Sequence, residues 1–285
     1  MLHGVFTALV TPFRDHGVDY DAFERLIEEQ IAAGVHGLVP CGTTGESSTL
    51  SVEEHDEVVR FTVESVRGRV PVVAGTGSNS TAEAVARTQH AREVGADAVL
   101  QVMPYYNRPG QEGLFRHISA VARVGVPIVL YNIPSRSAVA LTFETYQRLA
   151  ALPEVVGTKE ATGSLDMAER LLSDGRLRVL SGDDALTFPI LCVGGHGVVS
   201  VASNVIPRFM VDLYELTVDG QWAEARQKHL QLVPIVEALF REGNPGPIKS
   251  ALADRGKIED ILRLPMTSAT PETRGLLRRR LQDLS

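Results

Sequence analysis

A lysine directly follows an apolar run in the stretch EVVGTKEATG, where Val155 and Val156 precede Lys159 and Glu160. An ammonium group at the mouth of a buried strand is costly unless it is paired or reaches water. Burial disfavours the charged form, and a neutral lysine amine attacks carbonyl carbons to form a Schiff base. Lys159 is therefore a candidate nucleophile, and the alternative is a lysine whose amine extends into solvent.

A tyrosine lies near the end of a second apolar run, PIVLYNIP, in which Tyr131 precedes a polar segment. Schiff-base formation passes through a carbinolamine, whose formation and breakdown need a group that both donates and accepts protons. The Tyr131 hydroxyl is a candidate for that role. The alternative is a core tyrosine with a tethered hydroxyl.

Two further segments are suited to bind carboxylates. GTTGES, from Gly42 to Ser47, offers backbone N–H groups and the hydroxyls of Thr43 and Thr44 in a glycine-flanked turn. A simple tight loop would favour the same residue types. Arg136 lies in YNIPSR, where a guanidinium on a short loop could bind a carboxylate through two hydrogen bonds. Taken alone, it could equally be a surface arginine paired with a helix acid.

Short apolar runs of the kind that form strands buried on both faces alternate with amphipathic helical patterns. Eight such runs begin at Gly4, Gly37, Pro71, Ala98, Pro127, Val155, Arg178 and Gly197. This alternation predicts a (β/α)8 TIM barrel, in which the active site lies at the carboxyl ends of the strands. A doubly wound sheet is the alternative, but TPFRDHG after the first run is not its glycine fingerprint.

The pattern changes near Val218, after which helical stretches follow one another without strands. We therefore predict a barrel over residues 1–217 and a C-terminal helical extension over residues 218–285. Thr81 is predicted to cap the helix that ends before Gly95. The triplet Arg278–Arg280 lies among leucines and predicts a solvated helix face.

Composition narrows the class of protein. The chain has 285 residues and a net charge of −7, so nucleic-acid binding and membrane binding are disfavoured. Cys41 and Cys192 both lie in apolar runs and are expected to be buried free thiols in a reducing cytoplasm. Asp183 and Asp184 have no histidine at ligand spacing, so we expect no metal and no cofactor.

Several of these segments together resemble the dihydrodipicolinate synthase family of pyruvate-dependent class I aldolases. The resemblance extends from FTALVTPF through LRLPM and therefore covers nearly the whole chain. Its motifs are GTTGES, AGTGSNSTAEA, PYYNRPGQEGL, YNIPSR, GTKEATGS, SGDDA and GGHGVVSVASN. The resemblance implies a lyase that condenses pyruvate with L-aspartate β-semialdehyde to 4-hydroxy-tetrahydrodipicolinate, on the route to diaminopimelate and lysine.

The resemblance also implies roles for matching residues. Lys159 would form the Schiff base with pyruvate, and Tyr131 would be the central proton donor and acceptor. Thr43 would link Tyr131 to Tyr106, which in the family reaches in from the neighbouring subunit of a tight dimer.

Binding roles follow in the same way. Thr44 would hold the pyruvate carboxylate, the main chain at Val199 would complete the pocket, and Arg136 would bind the carboxylate of the second substrate. The family also implies a homotetramer that is a dimer of dimers.

Feedback by lysine is a further implication, because many family members bind lysine in a cleft at the dimer interface. The matching residues here are Ser47, His55, Asn79, Glu83 and Tyr105. Lysine-sensitive relatives often carry a histidine or an aromatic where this chain has Val52. We therefore expect lysine to inhibit, but weakly.

Two other functions remain open from the sequence. One is another aldolase of the superfamily, acting on a 2-keto-3-deoxy sugar acid or on N-acetylneuraminate. Sialic-acid lyases tend to carry a serine in the position of Thr43 and to lack Arg136, which favours the synthase. The other is a non-catalytic relative that acts as a binding module, which loss of Lys159 or Tyr131 would have indicated.

Overall fold

Eight short runs of buried residues form parallel strands in the computed structural model, which describes residues 2–15 and 17–284. The strands are β1 Gly4–Ala8, β2 Gly37–Val39, β3 Val73–Gly75, β4 Ala98–Val102, β5 Ile128–Asn132, β6 Val155–Glu160, β7 Arg178–Ser181 and β8 Gly197–Ser200. All eight apolar runs of the sequence therefore form strands, and the barrel prediction is confirmed.

The sheet closes on itself. Each strand except β2 pairs in parallel with the strand that follows it in the chain, and β8 pairs with β1. The remaining gap, between β2 and β3, is bridged at Leu38 and Val72. The barrel is thus nearly closed, and the carboxyl ends of all eight parallel strands lie at one mouth.

Alternate residues of each strand face the barrel interior and the surrounding helices. Val5 belongs to the large outer core beneath the helices, whereas its neighbour Phe6 belongs to a smaller core inside the barrel. Tyr131 and Val199 also belong to the inner core. Tyr131 on β5 and Val199 on β8, which are both predicted to act on substrate, thus lie inside the barrel. Strands β6 and β7 stand between the strands that carry them.

Helices follow the strands and cover the outside of the barrel. They are α1 Tyr20–Ala32, α2 Val52–Val66, α3 Thr81–Glu93, α4 Gln111–Ala122, α5 Pro134–Ser137, α6 Phe143–Leu149, α7 Leu165–Asp174, α8 Thr187–Cys192 and α9 Pro207–Val218. The capping prediction for α3 is wrong by one residue: Ser80 caps it, and its hydroxyl accepts from the backbone N–H of Glu83. Gly95 ends the turn at φ +89°, a conformation that favours glycine.

Residues after α9 are helical wherever they form regular structure in the described chain. The helices are α10 Trp222–Leu239, α11 Gly246–Asp254 and α12 Pro271–Gln282. Helix α10 packs on α9 and α12, and Arg278–Arg280 lie exposed on α12 as predicted. These helices form the C-terminal extension; the boundary at residues 217 and 218 stays a prediction.

Two local features differ from the sequence interpretation. Cys192 is exposed rather than buried, because it is the last residue of α8 and the chain continues over the surface at Val193 and Gly194. Cys41 is buried as expected. A two-residue antiparallel pair, Phe13–Arg14 with Gly17–Val18, follows β1 and was not predicted. No helix among the described residues is long and apolar enough to span a membrane.

Candidate active site

Lys159 and Tyr131 lie side by side at the barrel mouth. They are register partners on the neighbouring strands β6 and β5, and only 5% and 4% of their surfaces are exposed. The Lys159 Nζ atom lies 4.2 Å from the centre of the Tyr131 ring. Within the described residues, the amine makes no hydrogen bond or ion pair. The lysine side chain is therefore buried at the barrel mouth, which favours the nucleophile over a lysine that extends into solvent.

Glu160 follows Lys159 in the chain, and its carboxylate anchors the end of β6 on the outer face of the barrel. Successive strand residues face opposite ways, so Glu160 points away from the barrel interior. It accepts hydrogen bonds from the Tyr146 hydroxyl at 3.0 Å, the Asn132 amide at 3.1 Å and the Thr162 N–H at 3.0 Å. Burial raises the pKa of Glu160. Because this network holds the strand end rigidly, it also fixes the backbone from which Lys159 projects.

The loop after β2 carries the two candidate threonines. Thr43 is partly exposed and Thr44 is buried. The Thr44 Oγ1 atom accepts a hydrogen bond from the Asn244 side-chain amide at 3.0 Å. The carbonyl of Gly45 accepts from the Thr11 hydroxyl at 2.7 Å, which ties the loop to the segment after β1. The loop is thus an ordered turn that presents two hydroxyls at the mouth.

Arg136 lies on the single-turn helix α5, directly after β5. Its guanidinium is exposed, and its Nη2 atom approaches the Asn244 carbonyl at 3.5 Å. No carboxylate of the described residues pairs with it, so the alternative of an arginine paired with a helix acid is wrong. Arg136 and Thr43 line one cavity of about 290 Å³. An unpaired guanidinium facing a cavity is suited to bind an anionic ligand.

Val199 is buried on β8, and the loop after it is held by Asp184. Asp184 accepts hydrogen bonds from the Ser200 hydroxyl at 2.5 Å and from the N–H groups of Val201 and Ala202 at 2.9 and 3.0 Å. Burial raises the pKa of Asp184. The sequence interpretation considered this residue only as a metal ligand, and its observed role is to shape the backbone beside Val199.

Tyr106 stands apart from the other candidate catalytic residues within one chain. It is 90% exposed, and its backbone adopts φ +71°, which is uncommon for a residue other than glycine. Its hydroxyl makes no hydrogen bond to the described residues. The single chain therefore does not bring Tyr106 to Tyr131.

The residues matched to a lysine site divide into two groups. Ser47, Glu83 and Tyr105 line the same 290 Å³ cavity as Thr43 and Arg136. The other two do not line it.

His55 is fully buried, and its Nε2 atom is 2.8 Å from the Gly75 carbonyl. Burial also lowers its pKa. The carbonyl of Asn79 accepts from the Asn107 amide at 2.9 Å. Glu83 is already engaged, by an ion pair with Arg87 at 2.5 Å and a hydrogen bond from Ser78 at 2.6 Å.

A larger cavity, of about 720 Å³, lies at the opposite end of the barrel. Leu2, Val155, Leu177 and Arg178 line it, and they stand at or before the beginnings of strands. No candidate catalytic residue reaches this end. Catalytic groups of such barrels sit at the carboxyl ends of the strands, so the candidate active site is the mouth that holds Lys159 and Tyr131 and not this larger cavity. The 290 Å³ cavity is lined by Thr43 and Arg136 but not by Lys159 or Tyr131.

Comparisons with known proteins found relatives that match nearly the whole chain. The model of the Dihydrodipicolinate synthetase family matches residues 1–284. A curated protein of Syntrophus aciditrophicus named 4-hydroxy-tetrahydrodipicolinate synthase is 52% identical over 287 residues, covering 99% of this chain and 98% of that protein.

Two solved structures are similar over nearly their full length. The 4-hydroxy-tetrahydrodipicolinate synthase from Methylacidiphilum fumariolicum SolV is 49% identical with a TM-score of 0.97, and the match covers 99% of this chain and 95% of that one. The DHDPS from Cyanidioschyzon merolae, solved with lysine bound, is 40% identical with a TM-score of 0.95, covering 98% and 97%.

Proposed function

Because this chain belongs to the dihydrodipicolinate synthetase family, we infer that it is a lyase that condenses pyruvate with L-aspartate β-semialdehyde to 4-hydroxy-tetrahydrodipicolinate. The relatives named for this activity match nearly the whole chain at about half identity. The observation that carries the assignment to a site is the buried Lys159 amine against the Tyr131 ring. The product lies on the route to diaminopimelate and lysine, and we place the enzyme in the cytoplasm.

In the proposed mechanism the Lys159 amine adds to the keto carbon of pyruvate. Loss of water from the carbinolamine gives an iminium ion, and loss of a methyl proton gives an enamine. The enamine carbon attacks the aldehyde of the second substrate. The amino group of that substrate then displaces Lys159 and closes the ring, so one water is released overall.

Proton transfer is assigned to Tyr131, whose ring already contacts the lysine amine. A group in this position can protonate the departing carbinolamine oxygen and later the aldehyde oxygen. Thr43, at the rim of the same mouth, would pass the proton to Tyr106 of a neighbouring subunit. The exposure of Tyr106 supports a contact outside its own chain.

In the proposal, the carboxylates of the two substrates are bound by different residues. Thr44, with the Val199 main chain, would hold the pyruvate carboxylate beside Lys159. Arg136 would bind the carboxylate of aspartate β-semialdehyde, and its lack of an acidic partner among the described residues supports this role. Pyruvate and its aldehyde partner are then oriented by separate groups.

Arg136→Ala is expected to separate the two binding steps. The variant should still form the pyruvate Schiff base, because Arg136 is not assigned to pyruvate. The KM for aspartate β-semialdehyde should rise about 30-fold, equivalent to about 2 kcal/mol at this exposed site. Steady-state kinetics at saturating pyruvate measures it. Arg116→Ala, which removes an exposed arginine paired with Glu112, is the control and should leave KM unchanged. An equal loss of pyruvate trapping in Arg136→Ala would contradict the assignment.

We further propose a homotetramer, a dimer of dimers, in which Tyr106 completes the partner's site. Tyr106→Phe and Lys159→Ala chains, each poorly active alone, should then regain activity when refolded together. With random pairing, about a quarter of all sites hold neither change, so about a quarter of wild-type activity is expected. Light scattering during the assay gives the assembly state. Mixed chains with no recovery, or a fully active monomer, would rule out the shared site.

Lysine is proposed to bind a cleft at the dimer interface, separate from Lys159 and Tyr131, on the side of the 290 Å³ cavity that Ser47, Glu83 and Tyr105 line. Because Glu83 already pairs with Arg87, an incoming ammonium must share its carboxylate. We expect inhibition at millimolar lysine that Glu83→Ala weakens, with Val52→His strengthening it by about 1 kcal/mol, the size of one modest contact. Titration of the initial rate measures this. Inhibition that is unchanged by Glu83→Ala would place the effector elsewhere.

A further inference from the structure

Three hydrogen bonds join the C-terminal extension to Thr44 and Glu46 in the loop after β2. The Asn244 amide donates to Thr44 Oγ1 at 3.0 Å. The Lys249 ammonium donates to Glu46 Oε1 at 2.7 Å, and the backbone N–H of Arg263 donates to Glu46 Oε2 at 2.9 Å. Each contact joins residues at least 200 positions apart in the chain. The loop therefore depends on the extension for its fixed position.

The ion pair between Glu46 and Lys249 anchors the extension to the loop. The two side chains are 1% and 0% exposed. Lys249 also donates to the Thr11 carbonyl at 2.9 Å and lies 4.2 Å from the centre of the Phe13 ring. Burial lowers the Lys249 pKa, and the negative charge of Glu46 opposes that shift. Removing either partner would leave an uncompensated buried charge, so the contact resists separation.

Asn244 lies where this anchored extension reaches the site. It is 5% exposed, and it touches two residues that are proposed to bind substrate. Its side-chain amide donates to Thr44, and its main-chain carbonyl lies 3.5 Å from Arg136 Nη2. Thr44 belongs to the pyruvate side of the site and Arg136 to the side of the second substrate. Asn244 thus joins the two halves of the proposed substrate site.

The direction of the hydrogen bond to Thr44 has a chemical consequence. A threonine hydroxyl has one proton to donate and two lone pairs that accept. In the structure the Asn244 Nδ2 group donates to Oγ1, and the Asn244 Oδ1 atom is buried without a partner among the described residues. With one lone pair of Oγ1 occupied, the hydroxyl proton is left free to be donated to another acceptor. A pyruvate carboxylate beside Lys159 is an acceptor of the required charge, and a hydrogen bond to it is charge-assisted.

We propose that Asn244 is a positioning residue whose side-chain amide orients the Thr44 hydroxyl toward the pyruvate carboxylate. This inference rests on the proposed function, because it takes pyruvate as the ligand of Thr44. It also gives the C-terminal extension a role in substrate binding. Asn244 touches no reacting atom and acts through its neighbours.

The test compares Asn244→Ala and the isosteric Asn244→Asp with wild type. Asn244→Ala should raise the KM for pyruvate about tenfold and leave kcat within about twofold, because it weakens binding in the ground state and the transition state alike. Asn244→Asp should raise that KM about a hundredfold, because a carboxylate can only accept from the Thr44 hydroxyl and repels the substrate. Ser250→Ala is the control, since it removes buried hydrogen bonds of the extension and should leave KM unchanged.

A double-mutant cycle with Thr44→Val separates positioning from packing. If Asn244 acts through the Thr44 hydroxyl, Asn244→Ala should add less than about a twofold further change in KM to Thr44→Val. Circular dichroism and light scattering establish that each variant is folded. Independent effects of the two substitutions, or an unchanged KM in Asn244→Asp, would overturn the inference.

The experiments distinguish failure of the Asn244 positioning role from failure of the proposed function. If wild type is not trapped by pyruvate and borohydride, the function itself is wrong, whatever Asn244 does. If wild type is trapped and turns over both substrates but the Asn244 variants bind pyruvate normally, only the positioning role is wrong.

Discussion

Lys159→Ala is expected to lower kcat/KM at least about a thousandfold, because the covalent route through the Schiff base is lost. No other lysine of the described chain can replace it. Lys249 is buried and paired with Glu46, Lys228 pairs with Asp212 on the helices outside the barrel, and Lys257 is at the surface with Glu29. Coupled assay of product formation measures the loss, and Lys257→Ala is the control that should keep wild-type activity.

Lys159→Arg distinguishes a nucleophile from an electrostatic role. The guanidinium keeps the positive charge and much of the side-chain volume, but it stays protonated and does not form a Schiff base. The variant should therefore be as inactive as Lys159→Ala. Activity of Lys159→Arg near that of wild type would mean that the charge, not the amine, is what the site needs.

Lys249→Met is expected to lower the free energy of unfolding by about 3–5 kcal/mol, because it leaves the Glu46 carboxylate buried without its partner. Urea denaturation at matched protein concentration measures this, since assembly contributes to stability. Lys257→Met removes an exposed pair with Glu29 and should cost no more than about 1 kcal/mol.

The double variant Glu46→Leu with Lys249→Met tests the physical reason for this loss. Removing both charges eliminates the unpaired carboxylate, so the double variant should recover much of the stability that Lys249→Met loses. A single Lys249→Met variant as stable as wild type would show that the buried pair does not anchor the extension.

The barrel could be predicted because each of its strands is an apolar run set off from amphipathic helical patterns. The same reasoning extends to Lys159 and Tyr131: strands that follow one another in the chain are neighbours in a parallel barrel, so their carboxyl ends meet. The residue that caps a helix could not be predicted in the same way. Ser80 and Thr81 are both good helix caps, and sequence alone could not choose between them.

The contacts of the C-terminal extension could not be predicted from the sequence. Asn244 reaches Thr44 across 200 positions, and that approach depends on how the helices after α9 fold back over the barrel. The burial of His55 is a similar case, because a histidine near the start of an exposed helix usually faces solvent. Nothing in the sequence marked Lys249 as the partner of Glu46, which lies 203 positions away.

Borohydride reduction in the presence of pyruvate, followed by peptide mass spectrometry, tests the central claim most directly. Reduction converts the Schiff base into a stable secondary amine on the lysine that formed it. The account predicts a pyruvate-derived modification on the peptide containing Lys159 and none on that peptide when pyruvate is omitted. Modification of Lys249 or Lys257 instead, or no modification in an enzyme that is active with both substrates, would contradict it.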